Sequence, residues 1–361
     1  MDSPHAPVSE PLRKGPVLAM LAALLFGVST PLGKNLSEHM SPQWFGGLLC
    51  LGSGGGLLIW MLLRRIVRPH APQEAALSRK DLPFFGLSLL FGGILAPVLL
   101  AYGLRHTPAS TASLLLNLEG VLTALLAWFV FHEHFDRRIF FGMLAILGGA
   151  ALLSATSARS ETGIPWNALA IAGACLCWAL DNNVTRKISN VDPVQITALK
   201  GVPSGILNLL LAASAGQTTP TPLALLQGAT LGFFSYGLSL VCFVLALRHI
   251  GTARTGAYFS TAPFIGSALA LLLTPERPAP AFWIAAALMA LGVLLHLTEE
   301  HNHFHRHEAL EHEHLHYHDA HHQHPHGPDD PPGEPHSHWH RHEPLEHAHP
   351  HYPDIHHQHR H

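Results

Sequence analysis

The sequence predicts an all-α integral membrane protein. The predicted protein has ten transmembrane helices, arranged as two inverted five-helix repeats, and a disordered, histidine-rich C-terminal tail. Three observations support this prediction. Charged residues make up only 12% of the 361 residues, whereas soluble domains contain roughly 25%. A sequence pattern recurs 143 positions along the chain, and most histidines lie near its end.

The low overall charge conceals two unlike parts. Residues 1–298 contain 18 Lys and Arg against 12 Asp and Glu, whereas residues 299–361 contain 3 against 12 and hold 23 of the 31 histidines. The first part has too little charge to coat a water-facing surface. The second part has too few apolar residues to build a core. These compositions exclude an ordinary two-domain soluble enzyme.

Charge-free windows of about 20 residues recur through the first part, and an α-helix of that length crosses roughly 30 Å of hydrocarbon. Most windows are apolar on all sides rather than along one stripe, which argues against a soluble helical core. A polar, Pro-rich break near residues 215–222 divides one longer window into two spans. The predicted spans are 16–34, 43–63, 83–104, 108–131, 137–156, 166–186, 194–214, 224–247, 252–273 and 279–298.

Lys and Arg are shared unequally between the two ends of these spans. A cytoplasmic N-terminus places 13 of them on the cytoplasmic side and 4 outside, with Lys200 left within the seventh span. The positive-inside rule therefore predicts that residues 1–15 and the C-terminal tail both face the cytoplasm of a bacterial inner membrane. The first span is long and no cleavage site precedes Lys34, so it is not a removable signal peptide.

An internal repeat organises the spans. A shift of 143 places residues 104–106 (LRH) on residues 247–249 (LRH), and Glu133 on Glu276. Each half then holds five spans, and because five is odd, the second copy enters the membrane upside down. Secondary transporters use this design, with the substrate site near the midplane. The predicted parts are 1–15 (N-terminus), 16–156 (first repeat), 157–298 (second repeat) and 299–361 (tail).

Segment 101–133 resembles the fourth-helix signature of the EamA domain, which belongs to the drug/metabolite transporter superfamily, and segment 246–276 resembles its second copy. The resemblance implies ten helices and the transport, more often outward, of small metabolites or drugs. Coupling to protons or to exchange is common in that superfamily. The chain departs from the family pattern at Gly120, which follows Glu119 where the family usually has Pro.

Ionisable groups inside a membrane are costly, so each one here is a functional candidate. Glu119, in the middle of the fourth span, could serve as a proton or cation site, or make a structural hydrogen bond to a neighbouring helix. Asp181 could bind a cationic group, pair with Lys200 or Arg254, or lie at a solvated helix end. Lys200 could also extend to the cytoplasmic face.

Polar and aromatic residues of the sixth and ninth spans could line a ligand cavity. For Trp178 the alternative is an interfacial aromatic belt, and Glu276 is expected to cap a span end. The candidate substrate and coupling-ion residues are Asn117, Glu119, Trp178, Asp181, Asn182, Arg254, Tyr258 and Ser260.

Histidines alternate with other residues in the tail. In an extended chain, residues two apart point to one side, so an HxHxH run offers several imidazoles to one ion. Imidazole suits Zn, Ni, Co or Cu ions. Intervening Pro and acidic residues argue against a packed fold, so the tail is expected to be disordered. The predicted metal ligands are His301, His303, His305, His307, His312, His314, His316, His318, His336, His338, His340 and His342. The alternatives are a low-complexity extension with little role or a pH-sensitive charge brush.

These features predict an exporter of a small metabolite or drug-like solute that works by alternating access and carries a metal-binding tail. The alternatives are a divalent Zn, Ni or Co exporter and a membrane-anchored metal buffer or sensor. No catalytic motif is present, so an enzyme is not predicted, and the acidic tail argues against nucleic-acid binding. The expected partners are the lipid bilayer, a small-molecule substrate and a divalent transition metal. No cofactor is required, and a homodimer is left open.

Overall fold

The computed structural model describes residues 11–67, 77–131, 137–160, 165–185, 188, 192–297, 302–307, 310–316, 336–342 and 345–350. The α-helices in these residues are α1 (Pro11–Gly27), α2 (Ser29–His39), α3 (Pro42–Val67), α4 (Leu82–Ser88), α5 (Ala96–His106), α6 (Ala109–Leu115), α7 (Leu118–Phe131), α8 (Arg137–Ser160), α9 (Trp166–Thr185), α10 (Pro193–Ser214), α11 (Pro222–Gly232), α12 (Ser239–Phe259), α13 (Ala262–Leu273) and α14 (Pro280–Leu297). Two π-helices, π1 (Leu89–Leu95) and π2 (Phe233–Leu238), join α4 to α5 and α11 to α12.

Eight helical segments are long and apolar enough to cross a membrane, and they match the first eight predicted spans. They are Lys14–His39, Pro42–Val67, Leu82–His106, Ala109–Leu126, Arg137–Ala155, Trp166–Thr185, Val194–Ser214 and Pro222–Ala246. Two shorter apolar helices, Ala262–Leu273 and Pro280–Leu295, lie within the last two predicted spans. The chain is thus a multi-pass helical membrane protein, and a total of ten crossing helices remains a prediction.

The irregular parts of the helices recur at matching positions in the two halves. π1 begins at Leu89 and π2 begins 144 positions later, at Phe233. The break between α6 and α7 covers residues 116–117, and the break between α12 and α13 covers residues 260–261, again 144 positions later. The internal repeat seen in the sequence is therefore also present in the backbone.

One predicted loop is absent. The sequence analysis separated two spans at residues 248–251, but α12 continues through them without interruption. The equivalent point of the first half does break, because Pro108 lies there and cannot continue a helix begun before it. The second half has Gly251 in the matching position, and glycine keeps its backbone N–H donor.

The two halves pack closely along α3 and α10. A Cβ atom at Gly54 would lie 2.5 Å from the backbone nitrogen of Val202, and one at Gly201 would lie 2.7 Å from the Cα atom of Gly54. Small residues permit this approach between membrane helices, where lipid supplies no hydrophobic driving force for association. The backbone contact of these two helices fixes one half against the other.

Four tail segments form strands, so the prediction of a disordered tail is corrected for them. They are β1 (Asn302–His307), β2 (Leu310–His316), β3 (His336–His342) and β4 (Leu345–Pro350). β1 pairs with β4 and β2 pairs with β3, both antiparallel. The alternation that predicted metal ligands also has the period of a β-strand, a structural signal that the sequence analysis did not use. The predicted ligands His301 and His318 lie outside the described residues.

We expect Gly54→Ala to lower the stability of the protein by about 1–3 kcal/mol, because the added methyl group forces α3 away from α10. Gly86→Ala is the matched control, since a Cβ atom there has nothing within 4 Å. Removing a helical glycine should leave the control equal to or slightly more stable than the wild type. Thermal unfolding of the purified protein in detergent measures both, and equal melting temperatures would refute the close-packing argument.

Candidate functional site

A buried ion pair of the second half lies against the first half. The ammonium group of Lys200, in α10, lies 2.7 Å from Oδ2 of Asp181, in the last turns of α9. The two side chains are only 17% and 9% exposed. Oδ1 of Asp181 accepts a hydrogen bond from the hydroxyl of Ser88 and another, at 3.0 Å, from Thr185. Of the alternatives raised for Asp181 and Lys200, the pairing of the two is the one observed.

π1 makes room for this pair. A Cβ atom at Gly92 would lie 1.8 Å from Oδ2 of Asp181, so no other residue type fits beside the carboxylate in this arrangement. The backbone oxygen of Gly93 accepts from the thiol of Cys50 at 3.2 Å and from the amide of Asn208 at 3.3 Å. These side chains hydrogen-bond to a backbone group that lacks a regular helical partner in the π-helix. Short π-helices of this kind are often found at functional sites.

A second polar contact lies one residue further along α9. Nδ2 of Asn182 donates to Oε1 of Glu119 at 2.9 Å. Glu119 lies in the first turn of α7, directly after the break in the fourth span, where a negative charge is favoured by the helix dipole. Asn117, inside the break, donates to the backbone oxygen of Leu114 at 2.9 Å. Glu119 and Asn182 are therefore in contact, whereas the described hydrogen bond of Asn117 stays within its own segment.

The two residues of this polar contact are more exposed than the neighbours of Asn182 on the same face of α9. Asn182 lies four residues after Trp178 and seven after Cys175, so the three share one face of α9. Trp178 and Cys175 are buried, yet Asn182 is exposed and Glu119 is partly exposed. The Asn182–Glu119 contact is therefore the more accessible end of an otherwise buried face of α9.

Aromatic side chains from both halves adjoin this face. The ring centroids of Trp178 and Phe26 lie 6.5 Å apart, and Tyr236 lies 5.7 Å from Phe26 and 6.3 Å from Trp178. Phe259 completes the cluster at 5.4 Å from Phe26. The buried hydroxyl of Tyr236, carried by π2, has no hydrogen-bond partner among the described residues. The cluster thus combines an apolar surface with one unused polar atom, as small-molecule sites do.

The remaining predicted site residues lie at the end of α12. Tyr258 and Ser260 precede and begin the break before α13, and the backbone oxygen of Tyr258 accepts from the hydroxyl of Thr261 at 2.6 Å. Arg254 lies in α12, with its side chain outside the described part.

The sequence analysis missed several residues that the structure places at the site, among them Phe26, Ser88, Gly92, Tyr236 and Phe259. Ser88 carries the single Ser or Thr hydroxyl of the third span, and that isolation is a signal in the sequence. Tyr236 stands 144 positions after Gly92, so the repeat alone could have linked the two. The π-helices that position Gly92 and Tyr236 could not be predicted, because no periodicity in the sequence indicates a π-helix.

Another contact between the halves lies near the opposite ends of the spans. The carboxylate of Glu276 accepts from the backbone nitrogen of Ala109 at 2.7 Å, and from the backbone nitrogen and hydroxyl of Ser110. Glu276 therefore caps the first turn of α6 from the other half of the chain. In the described helical part, no group of three His, Cys, Asp or Glu side chains is arranged to hold a metal ion.

Comparison with known proteins identifies the fold. The model of the EamA-like transporter family matches residues 13–155 and again residues 165–298. The chain belongs to this family. Its two domains correspond to the two halves described above, so Asp181 and Lys200 of the second domain meet Ser88 and Gly92 of the first. The family is a transporter family, in line with the expectation that the chain is not an enzyme.

Curated relatives align with this chain over most of their own length. An uncharacterized transporter of Methanothermobacter thermautotrophicus is 27% identical over 295 residues, which cover 78% of this chain and 85% of that protein. A probable amino-acid metabolite efflux pump of Salmonella typhimurium is 25% identical over 299 residues, 79% of this chain and 95% of that protein. A solved crystal structure superposes with a TM-score of 0.57 at 18% identity, over 78% of this chain and 94% of that one, and shows the same fold.

We expect Asp181→Asn alone to destabilise the protein by about 3–5 kcal/mol, because it leaves the ammonium of Lys200 buried without its counter-charge. The double variant Asp181→Asn with Lys200→Met should recover most of that loss, since replacing both charges removes the desolvation cost together with the attraction. Thermal unfolding in detergent provides the comparison. A double variant no more stable than the single one would show that the pair is not an isolated, compensated unit.

Proposed function

We propose that the chain exports small zwitterionic metabolites of the amino-acid type by alternating access of its two EamA-like domains. The observation that carries this proposal is the buried Asp181–Lys200 pair at the boundary between the domains. Both termini would face the cytoplasm, ten helices would cross the membrane, and the second domain would be inverted relative to the first. The unequal sharing of Lys and Arg between the two sides supports that orientation.

The ion pair contains one charge of each sign, as a binding site for the two charges of an amino acid requires. An amino acid carries one ammonium and one carboxylate close together, so its carboxylate can replace Asp181 beside Lys200 while its ammonium replaces Lys200 beside Asp181. Each protein charge keeps an opposite partner during this exchange. The cost of keeping charges away from water therefore stays compensated on both sides.

The surroundings suit the rest of such a molecule. The cluster of Phe26, Trp178, Tyr236 and Phe259 offers an apolar surface for a side chain, and the unpartnered hydroxyl of Tyr236 offers one hydrogen bond. The name of the Salmonella typhimurium relative, a probable amino-acid metabolite efflux pump, points to the same substrate class.

Glu119 would couple transport to protons. Its only described side-chain partner is the amide of Asn182, which can hydrogen-bond to either the charged or the protonated carboxyl group. Because Asn182 is the chain neighbour of Asp181, a proton on Glu119 and a substrate at Asp181 would act on the same turn of α9. This adjacency is the basis for assigning coupling to Glu119 and substrate charge to Asp181.

The second candidate is export of divalent metal ions, with the tail collecting the ion. The observation that favours it is the placement of histidines opposite one another in the paired tail strands. Under the main proposal the tail still binds a transition metal such as Zn, Ni, Co or Cu, but as a buffer or sensor attached to the transporter.

Transport by the full chain in proteoliposomes tests the main proposal. We expect the wild type to exchange radiolabelled leucine, and to discriminate against the matched amine and the matched acid, which each lack one charge. The folded double variant Asp181→Asn with Lys200→Met should lose at least about tenfold of this exchange, which corresponds to 1.4 kcal/mol. Unchanged leucine exchange in the double variant, or equal transport of the amine, would reject the charge assignment.

Glu119→Gln separates coupling from binding in the same assay. We expect it to keep leucine exchange without a gradient but to lose accumulation driven by a pH gradient, because Gln cannot take up a proton. Glu38→Gln is the matched control, since Glu38 is an exposed carboxylate paired with Lys34. A Glu119→Gln protein that still accumulates leucine under the gradient would remove Glu119 from coupling.

Elemental analysis of expressing cells tests the second candidate. Under the main proposal, the zinc, nickel, cobalt and copper contents should be unaffected by Glu119→Gln, and any metal retained by the full chain should disappear on truncation to residues 1–298. A full chain that lowers one metal, with Glu119→Gln abolishing the effect, would instead establish metal export.

A further inference from the structure

The paired tail strands place histidine opposite histidine. In the β2–β3 pair, three successive alternate positions match in this way. They are His312 with His340, His314 with His338, and His316 with His336. The sequence analysis had grouped these histidines only along each strand, so their matching across strands is new information from the backbone register.

The β1–β4 pair repeats the arrangement. His303 stands opposite His349, and His305 stands opposite His347. Two of these four, His347 and His349, were not among the predicted ligands. The two strand pairs follow one register, because the numbers of partner residues have the same sum in both. The two strand pairs are separate sheets, and both match histidine with histidine in the same register.

The dimensions of a β-ladder bring such positions within reach of one ion. Directly opposite residues have Cβ atoms about 4.5–5.5 Å apart, and residues two apart on a strand are separated by roughly 6.8 Å. Two neighbouring histidine pairs thus define a rectangle of about 5 by 7 Å. Imidazole nitrogens bind Zn²⁺ at about 2.0–2.1 Å in tetrahedral sites, and four positions so spaced suit a single tetrahedral ion.

We propose that the tail holds two separate four-histidine sites for a divalent transition metal of the Zn²⁺ or Ni²⁺ kind, each built across a strand pair. The first comprises His312, His314, His338 and His340, and the second comprises His303, His305, His347 and His349. This inference rests on the metal binding proposed above for the tail. It adds the ligand sets, the stoichiometry of two, and the requirement for cross-strand register.

Metal binding and strand pairing depend on each other in this arrangement. A two-stranded antiparallel pair is marginally stable alone, and these strands contain few apolar residues to help it. Metal-binding free energy acts as folding free energy when a site requires distant segments to meet. Zn²⁺ or Ni²⁺ therefore controls whether β2 meets β3. β1 begins five positions after α14 ends, so this ordering occurs directly beside the membrane part of the chain.

A rearrangement that conserves composition tests the register. Within β3, each paired histidine exchanges places with the residue after it: His336→Ser with Ser337→His, His338→Trp with Trp339→His, and His340→Arg with Arg341→His. The number of histidines is unchanged, but they now stand opposite Leu315, Glu313 and Glu311. Because a glutamate can also bind Zn²⁺, every protein in the comparison carries Glu311→Gln and Glu313→Gln. The matched control, His321→Asn with His322→Asn and His324→Asn, removes three tail histidines outside the described strands.

The measurement is Zn²⁺ titration of the full chain in detergent, with Co²⁺ absorption reporting tetrahedral coordination. We expect two tight tetrahedral sites in the wild type and in the control, but only one in the rearranged protein, whose second ion should bind at least about tenfold more weakly. Equal Zn²⁺ binding by the wild type and the rearranged protein would overturn the cross-strand sites. It would show that the number of histidines, and not their register, determines Zn²⁺ affinity. A wild type without tight Zn²⁺ would overturn the metal-binding tail itself.

Discussion

Charges and polar backbone groups in a membrane must find their partners inside the protein, and this requirement governs the centre of the molecule. Asp181 and Lys200 satisfy each other, and Ser88 and Thr185 supply the remaining hydrogen bonds. Asp181, Lys200 and Thr185 belong to the second domain and Ser88 belongs to the first, so the hydrogen bond from Ser88 exists only while the domains are closed against each other at this point. Any rocking of one domain against the other has to exchange these contacts for others of similar strength.

The repeat provides the geometry for that exchange. Both domains carry a π-helix and a helix break at matching positions, although the residues at those positions have diverged. In the first domain, Gly92 leaves space for a carboxylate of the second domain. In the second domain, π2 carries Tyr236 into an aromatic cluster shared with the first. The π-helix of the first domain thus borders the charged side of the proposed site, and the π-helix of the second domain borders its apolar side.

The sequence predicted the elements of this architecture better than their contacts. Apolar windows located eight spans, because the thickness of the hydrocarbon core sets the length of every span. The internal repeat located both domains, because its spacing recurs throughout the two halves. The partner of Asp181 stayed one of several alternatives, since spacing along a chain does not fix distances between helices. The continuous α12 and the π-helices were missed for a related reason. The continuity of α12 depends on single backbone groups, because Pro108 has no N–H to donate in the first half whereas Gly251 keeps its N–H in the second. The π-helices have no sequence period that marks them.

The two candidate cargoes make different demands, and the described side chains meet them in different places. A divalent metal needs several neutral or anionic donors that converge on one point. In the helical part, the carboxylate of Asp181 already accepts from three donors, one of them a cation, and Glu119 is held by Asn182. A zwitterion needs the reverse, one charge of each sign with replaceable partners, and the Asp181–Lys200 pair offers that. The metal sites proposed for the tail, whose paired strands match histidine with histidine, would supply such donors. Substrate and metal therefore fit separate parts of the chain.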